Sequence, residues 1–467
     1  MSPGLPFDPS PEEIRAMGGA VADELAAWIH GLADAPASNT DDALELARTL
    51  VAEPPAEGRA DLAPLLAQAM EAARHTFEYS GPGYLAYIPG GGLYTAALGE
   101  FLAQGLNRFG GLWAPSPAMV QIEENVTSWL CRIMGFPKGS QGILLTGGSM
   151  ANLSAFVTAR HDRLGEAFLD GTYYVSAQSH ASVTKAGTIA GFGRRHARIV
   201  PTDDQLRMDP AALAAMVAED RAAGMRPFLV SAAAGTTNTG AIDPLDAIAD
   251  VAEREGLWFH VDGAYGGFFR LTDRGRERFA GIDRADSITL DPHKGMFLPY
   301  GTGGLVVRDR QALLSAHFEG AAYLQDLLPA GELPNYSDLS PELSRGVRGL
   351  RVWFPLVLHG VEAFREALDE KLDLTSRAHE GLADDPNVEL GWEPQLTIVT
   401  FRLRGADRAT NEEFLRRING ARRVFLSSTL IDGDYWIRIC IVSHRTHADR
   451  IDECVEIIRK AAADLAG

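Results

Sequence analysis

Between about residues 95 and 365, short apolar runs alternate with stretches of helical periodicity, and few folds accommodate that rhythm. Residues 142–146, 172–176, 197–200, 227–233, 257–262 and 287–290 read as strands. Residues 149–164, 181–191, 210–223 and 244–255 read as helices between them. Strands joined by helix-length crossovers run parallel, with helices covering both faces of the sheet. Chemistry on such a sheet gathers beyond the carboxyl ends of its strands. A last region mixes helices (368–382, 410–419, 446–464) with strands (396–403, 435–441), as a small α+β domain does. Ahead of the alternation, Ser10-Pro11-Glu12-Glu13 is a helix start with a serine cap, a first-turn proline and a capping-box glutamate. Ile14, Met17, Val21, Leu25, Trp28 and Ile29 keep helical spacing to about residue 30, and further helices are expected within 34–60 and over about 60–75. These stripes have no core of their own. The expected division is a helical docking segment at 1–80, a large α/β domain at 81–365 and a small C-terminal α+β domain at 366–467.

At 467 residues and 46% hydrophobic the chain can bury a large core, and a net charge of −19 argues against nucleic acid or an anionic membrane as partner. No apolar run approaches the ~20 residues that span a bilayer, and residues 1–11 lack the basic segment and apolar core of a signal peptide. Cys131, Cys440 and Cys454 show no metal-ligand spacing and are expected as buried free thiols. A cytoplasmic globular enzyme is the expectation.

The strand ends carry the chemistry. Asp291-Pro292-His293-Lys294 closes the apolar run 287–290, in a chain whose only other lysines are at 138, 185, 371 and 460. A desolvated lysine can lose its proton where arginine cannot, and Schiff-base formation, above all with pyridoxal phosphate, is the chemistry that needs it. His260-Val261-Asp262-Gly263-Ala264-Tyr265 ends another run on a carboxylate, which is costly to bury without a positive partner. The ring nitrogen of pyridoxal phosphate is such a partner, and small Ala264 leaves space for a flat ring. A metal pair of His260 and Asp262, joined by His293 in a hydrolase, is the rival, and no third ligand follows at a useful spacing. Thr146-Gly147-Gly148-Ser149 follows a strand and opens a helix, a place where backbone N–H groups can meet an anion. It is neither GxxxxGK[ST] nor GxGxxG, which disfavours nucleotides. His180, after the 172–176 strand, could stack on a ring and donate to a substrate carboxylate, and Thr237 ends a further strand with a hydroxyl. Each signal is weak alone, and their shared position at strand ends is what joins them.

The pair His-Val-Asp-x-Ala-Tyr (260–265) and Pro-His-Lys (292–294), about thirty residues apart, is highly specific. On it the chain resembles the pyridoxal-phosphate-dependent group II amino acid decarboxylases, particularly the aromatic L-amino acid decarboxylases, over most of its length. The resemblance implies the fold type I (aspartate aminotransferase-like) architecture and a homodimer with active sites at the interface. It also implies a small amino acid, of the aromatic class, as substrate, with an amine and carbon dioxide as products. By resemblance, Lys294 holds the cofactor's aldehyde, Asp262 pairs with its ring nitrogen, His180 stacks on one face and Ala264 touches the other. Thr237 matches a threonine near the ring, and Gly147, Gly148, Ser149 and His293 match the phosphate side. Asp291 stands where some members have asparagine, so a phosphate contact there would need a proton or a bridging donor.

Asn335-Tyr336 resembles the mobile catalytic loop, with 327–341 as its lid and the Tyr336 phenol, or else His180, returning a proton to Cα. Related aldehyde synthases, in which oxygen intercepts the reaction, often have phenylalanine at the tyrosine position, and such a synthase is the alternative product chemistry. Two further segments resemble the side-chain pocket. They contribute Tyr87, Ile88, Pro89 and Gly90, and, from the neighbouring subunit, Phe109, Gly111 and Trp113. Gly90 and Gly111 stand where aromatic decarboxylases carry larger side chains, which implies a roomier pocket suited to an indole or substituted aryl group.

Overall fold

The computed structural model describes residues 7–58, 61–320 and 333–466. Its strands are β1 (Gln141–Leu145), β2 (Gly171–Ser176), β3 (Ala197–Val200), β4 (Arg226–Ala233), β5 (Trp258–Gly263), β6 (Ser287–Leu290) and β7 (Gly303–Val307), followed by β8 (Val388–Leu390), β9 (Ile398–Leu403), β10 (Ser427–Ile431) and β11 (Asp434–Cys440). The first seven form one sheet in the order β1-β7-β6-β5-β4-β2-β3. Strands β3, β2, β4, β5 and β6 run parallel to one another, as the alternation required.

Strand β7 was not anticipated, and it runs antiparallel between β1 and β6. It opens on Gly303-Gly304, which weakens its signature as a strand. The glycine is required: a Cβ at Gly303 would lie 2.4 Å from the Cα of Gly147. The turn after β1 therefore packs directly on the edge of β7.

Side chains leave each strand alternately, and two apolar layers record this. Along β2, Tyr174 belongs to one core cluster while Tyr173 and Val175 belong to the other. Along β1, Leu144 parts from Ile143 and Leu145 in the same way. Both faces of the sheet are covered, which is why its strands read as continuous apolar runs.

The last four strands form a second, antiparallel sheet in the order β10-β11-β9-β8. Strands β8 and β10, its short outer members, were missed. Helices Arg408–Gly420 and Ala448–Ala466 pack on it around Phe401, Phe414, Ile437 and Ile458. The expected helix 368–382 is the distal part of a longer one, Gly349–Ala383, which bends at Gly360 (φ 75°, ψ 159°) and spans both sheets' territories.

The start of that long helix is anchored by charge. Glu123 accepts from the backbone N–H groups of Arg348 and Gly349, each at 3.0 Å, and from the Arg345 guanidinium. The Glu123 and Arg345 side chains are each 1% exposed. At the other end of the chain, the capping box forms as read: Ser10 Oγ accepts from the Glu13 N–H and the Glu13 carboxylate accepts from the Ser10 N–H. Helix Pro11–Gly31 buries none of its residues in this chain.

Removing one partner of a buried ion pair strands the other charge. Glu123→Ala is therefore expected to destabilise the chain by about 3–5 kcal/mol in urea unfolding. Glu71→Ala, at an exposed helical pair with Arg74, should leave the midpoint nearly unchanged.

Candidate active site

The carboxyl ends of β1, β2, β4, β5 and β6 meet at a cavity of about 280 Å³. Gly147, Gly148, Ser149, His180, Thr237, Asp262, Ala264, Asp291, His293 and Lys294 all line it. Parallel strands produce this meeting, because each ends on the same edge of the sheet.

Lys294 lies on the single-turn helix Pro292–Gly295 that caps β6. Its Nζ is 3.0 Å from Asp291 Oδ2, and its side chain remains 23% exposed to the cavity. Asp291 is buried, and its Oδ1 has no hydrogen-bond partner. His293 donates from Nδ1 to the Thr302 carbonyl at 2.7 Å, so Nε2 is the nitrogen left for the cleft. Burial holds that imidazole below its ordinary pKa, against the opposing pull of Asp291.

Asp262 closes β5 from the other side. Its Oδ1 accepts from the Ala264 N–H at 3.1 Å and its Oδ2 from the Asn152 amide at 2.9 Å. His180 caps helix Ala181–Ile189, its Nδ1 accepting from the Ser182 N–H at 3.2 Å. Helix Gly148–Leu164 starts at the cavity without a side-chain cap, so its first N–H groups stay available. A Cβ at Gly148 would lie 2.8 Å from Asp291 Oδ2 and 3.1 Å from Ala264 Cβ, so only glycine fits there. The small domain braces the Thr237 loop. Arg438 donates to the Thr237 carbonyl and to Ser427 Oγ, while Thr429 Oγ1 donates to Asn238 Oδ1.

Pyridoxal phosphate fits this donor set. An amine and a carboxylate face one cavity, an uncapped helix N-terminus offers N–H groups to an anion, and Ala264 leaves a low wall between them. The orphaned Oδ1 of Asp291 calls for a donor, as a protonated or bridged phosphate contact would supply.

Sequence reasoning passed over Asn152, which lines the cavity and touches Asp262. The available signal was its place four residues after Gly148, one turn along the same helix face.

Three readings need correction. The metal rival fails on His260, whose Nδ1 faces Ser287 Oγ at 2.8 Å and whose Nε2 faces Asn152 Oδ1 at 3.1 Å. Burial, opposed by Asp262, holds it well below its ordinary pKa, so it is a neutral, satisfied core histidine. The roomier pocket fails on close packing. A Cβ at Gly90 would lie 2.2 Å from the His293 carbonyl oxygen, and one at Gly111 would lie 2.5 Å from that of Leu343. These glycines admit neighbouring backbone and add no room for a ligand.

Tyr336 is the third. Its ring is buried beneath the Arg345 guanidinium, 4.8 Å from the centroid, and its hydroxyl donates to Glu124 Oε2 at 3.1 Å. Burial and the Glu123 and Glu124 carboxylates push the phenol well above its ordinary pKa, and it does not line the cavity. The physical reason is local, since this segment is pinned where Ser337 N–H meets the Gly111 carbonyl and Trp113 N–H meets Asn335 Oδ1. Residues 327–332 of the expected lid lie outside the described residues.

The expected side-chain pocket is not assembled within this chain, since Tyr87, Ile88, Pro89, Gly90, Phe109, Gly111 and Trp113 do not line the cavity. Tyr87 is half exposed, with a left-handed φ of 57°, while Ile88 and Pro89 are buried. Phe109 and Trp113 are half-buried, in the segment packed against 335–346.

Comparison with known proteins adds four findings. The profile described as the pyridoxal-dependent decarboxylase conserved domain matches residues 76–404. The aromatic-L-amino-acid decarboxylase of Bacillus atrophaeus is 33% identical over 466 residues, 98% of this chain and 97% of its own. Phenylacetaldehyde synthase of Arabidopsis thaliana is 29% identical, covering 83% of each chain. Among solved structures, Catharanthus roseus tryptophan decarboxylase in complex with L-tryptophan superposes with a TM-score of 0.90 at 25% identity, over 98% of this chain and 100% of that one.

If Gly90 serves backbone contact, Gly90→Ala should displace the His293–Lys294 segment. We expect loss of cofactor absorbance and of turnover with every amino acid tested. A change confined to the KM of bulky substrates would restore the pocket reading.

Proposed function

The chain belongs to the pyridoxal-dependent decarboxylase family, and from that premise we propose that it converts an aromatic L-amino acid to its amine and carbon dioxide. Pyridoxal 5′-phosphate is its cofactor and amino acid decarboxylation its reaction. The aromatic class rests on the names of its relatives and on Tyr87, Phe109 and Trp113 in the two pocket-like segments.

One observation carries the assignment of roles: Lys294 and Asp262 face the same cavity from adjacent strands. Lys294 would hold the cofactor's aldehyde, and the first N–H groups of helix Gly148–Leu164, with Ser149 and His293, would hold its phosphate. Asp262 would keep a proton on the ring nitrogen, with His180 over one face, Ala264 against the other and Thr237 beside it. The chemistry that pyridoxal phosphate supplies when bound is an electron-withdrawing ring that stabilises charge left at Cα as carbon dioxide departs. His180, at the mouth of the cavity, is placed to orient the substrate carboxylate. Among the described residues, it and the Lys294 amine are the cavity-lining groups that can return a proton to Cα. Tyr336 could do so only by leaving Glu124.

A homodimer with active sites at the interface fits the exposed apolar groups. Helix Tyr94–Leu106 shows Leu98, Phe101 and Leu102, and Val357 and Leu358 lie on the helix packed beside it. The 109–113 segment would then serve a partner's cavity. Among the described residues no helix is long and apolar enough to cross a membrane. The three cysteines are free and buried, which fits the cytoplasm.

A second reading keeps the scaffold but yields an aldehyde. The similarity to a phenylacetaldehyde synthase supports it, while tyrosine rather than phenylalanine at position 336 stands against it.

Lys294→Ala should abolish both turnover and visible cofactor absorbance, and full activity in that variant would refute the assignment. Wild-type enzyme given aromatic amino acids should form amine and carbon dioxide one to one. Ammonia and peroxide in equal amounts would establish the second reading instead.

A further inference from the structure

A chain of buried hydrogen bonds runs beneath the cavity, and its directions can be worked out donor by donor. Asp262, as a carboxylate, only accepts. The Asn152 side chain, 2.9 Å away, must therefore present its nitrogen, because its oxygen there would face a negative oxygen. The second hydrogen on that nitrogen reaches Ser182 Oγ at 2.7 Å. Asn152 Oδ1 is thereby turned away, toward the Thr289 hydroxyl at 2.6 Å and His260 Nε2 at 3.1 Å. Thr289 Oγ1 is 3.5 Å from that His260 nitrogen, so its proton goes to the amide oxygen. His260 must then carry its own proton on Nε2. Its Nδ1 accepts from Ser287 Oγ, which in turn accepts from the Trp258 indole N–H, each at 2.8 Å. Trp258, His260, Ser287, Thr289, Asn152 and Ser182 are all buried, which strengthens these bonds.

The other branch reaches the cleft. Ser182 Oγ accepts from Asn152, which leaves its proton for His180 Nδ1 at 2.7 Å. The Ser182 backbone N–H points at the same nitrogen from 3.2 Å. Two donors on Nδ1 leave it unprotonated, so the imidazole proton sits on Nε2, the ring nitrogen away from Ser182.

We infer that Asn152 is a positioning residue that couples the two functional groups of the site: one amide holds Asp262 for the ring nitrogen and, through Ser182, fixes His180 as the Nε2–H tautomer. His180 then presents a donor to the substrate carboxylate rather than a lone pair, which would repel it. The inference rests on the roles proposed for Asp262 and His180, but the tautomer is a property of the protein alone.

The test is nitrogen NMR of the holoenzyme labelled with 15N-histidine, His180 being assigned by the signal lost in His180→Gln. Wild type should show a neutral His180 with Nε2 protonated and Nδ1 bare. In Asn152→Asp the new carboxyl cannot donate to both Asp262 and Ser182. The Ser182 hydroxyl should turn toward it, and the His180 signal should move to a tautomer mixture. Cofactor affinity should fall at least tenfold, by loss of a hydrogen bond to a charged group. Ser182→Ala should weaken the tautomer preference and lower kcat while leaving cofactor affinity within about twofold, since only one branch is cut. A wild-type His180 protonated on Nδ1 overturns the inference. So does an Asn152→Asp protein that melts like wild type with its His180 spectrum unchanged. Should Asn152→Asp fail to fold, the wild-type and Ser182→Ala spectra decide alone. The Lys294→Ala absorbance separately reports failure of the site assignment, whatever the tautomer result.

Discussion

A carboxylate at the end of a buried strand must be compensated or the strand end cannot stay dry, and Asp262 imposes that demand on everything around it. Two donors meet it from within the chain, the Ala264 N–H and the Asn152 amide. The first fixes the turn that leaves β5. The second brings helix Gly148–Leu164 down onto the sheet, so the same helix that neutralises Asp262 also points its uncapped N-terminus into the cavity. On the proposed roles, a single rigid element would thus set both the nitrogen end and the phosphate end of one flat cofactor. On the same proposed roles, the remaining capacity of Asp262 to accept would serve a protonated ring nitrogen in the cavity.

The rest of the architecture holds that arrangement against the opposite wall. Strand β7 closes the sheet between β1 and β6, and its Gly303 lets the Gly147 turn sit on its edge. The short helix Pro292–Gly295 then delivers Lys294 from β6, the neighbour of β5. The second sheet contributes by bracing: Arg438 on β11 and Thr429 on β10 hold the loop that carries Thr237. Function at the cavity therefore depends on docking between the two sheets as well as on the residues that line it.

Much of this was legible in the sequence because the informative residues sit in short runs. Asp262 with Ala264, and His293 with Lys294, are each local in the chain and lie at the ends of apolar strands. Parallel topology then brings them together without further information. What was not legible depends on contacts between distant segments. Gly90 and Gly111 looked like missing side chains, but they make way for the backbone at His293 and Leu343. Tyr336 looked like a loop residue free to reach the cleft, but Glu124, 212 residues earlier, holds its hydroxyl. Asn152 looked like an ordinary polar residue in a helix, and only its burial against Asp262 reveals it. Strand β7 escaped because the glycines that make it fit also remove its β signature.

The central claim is that one lysine amine and one carboxylate hold the cofactor between them. Borohydride reduction of the holoenzyme followed by peptide mapping tests it most directly. The five lysines lie far apart in the chain, so their peptides are separable. The account predicts that the reduced cofactor is found on the peptide carrying Lys294 and nowhere else. Label on the peptide of Lys138, Lys185, Lys371 or Lys460, with Lys294 unmodified, would contradict it.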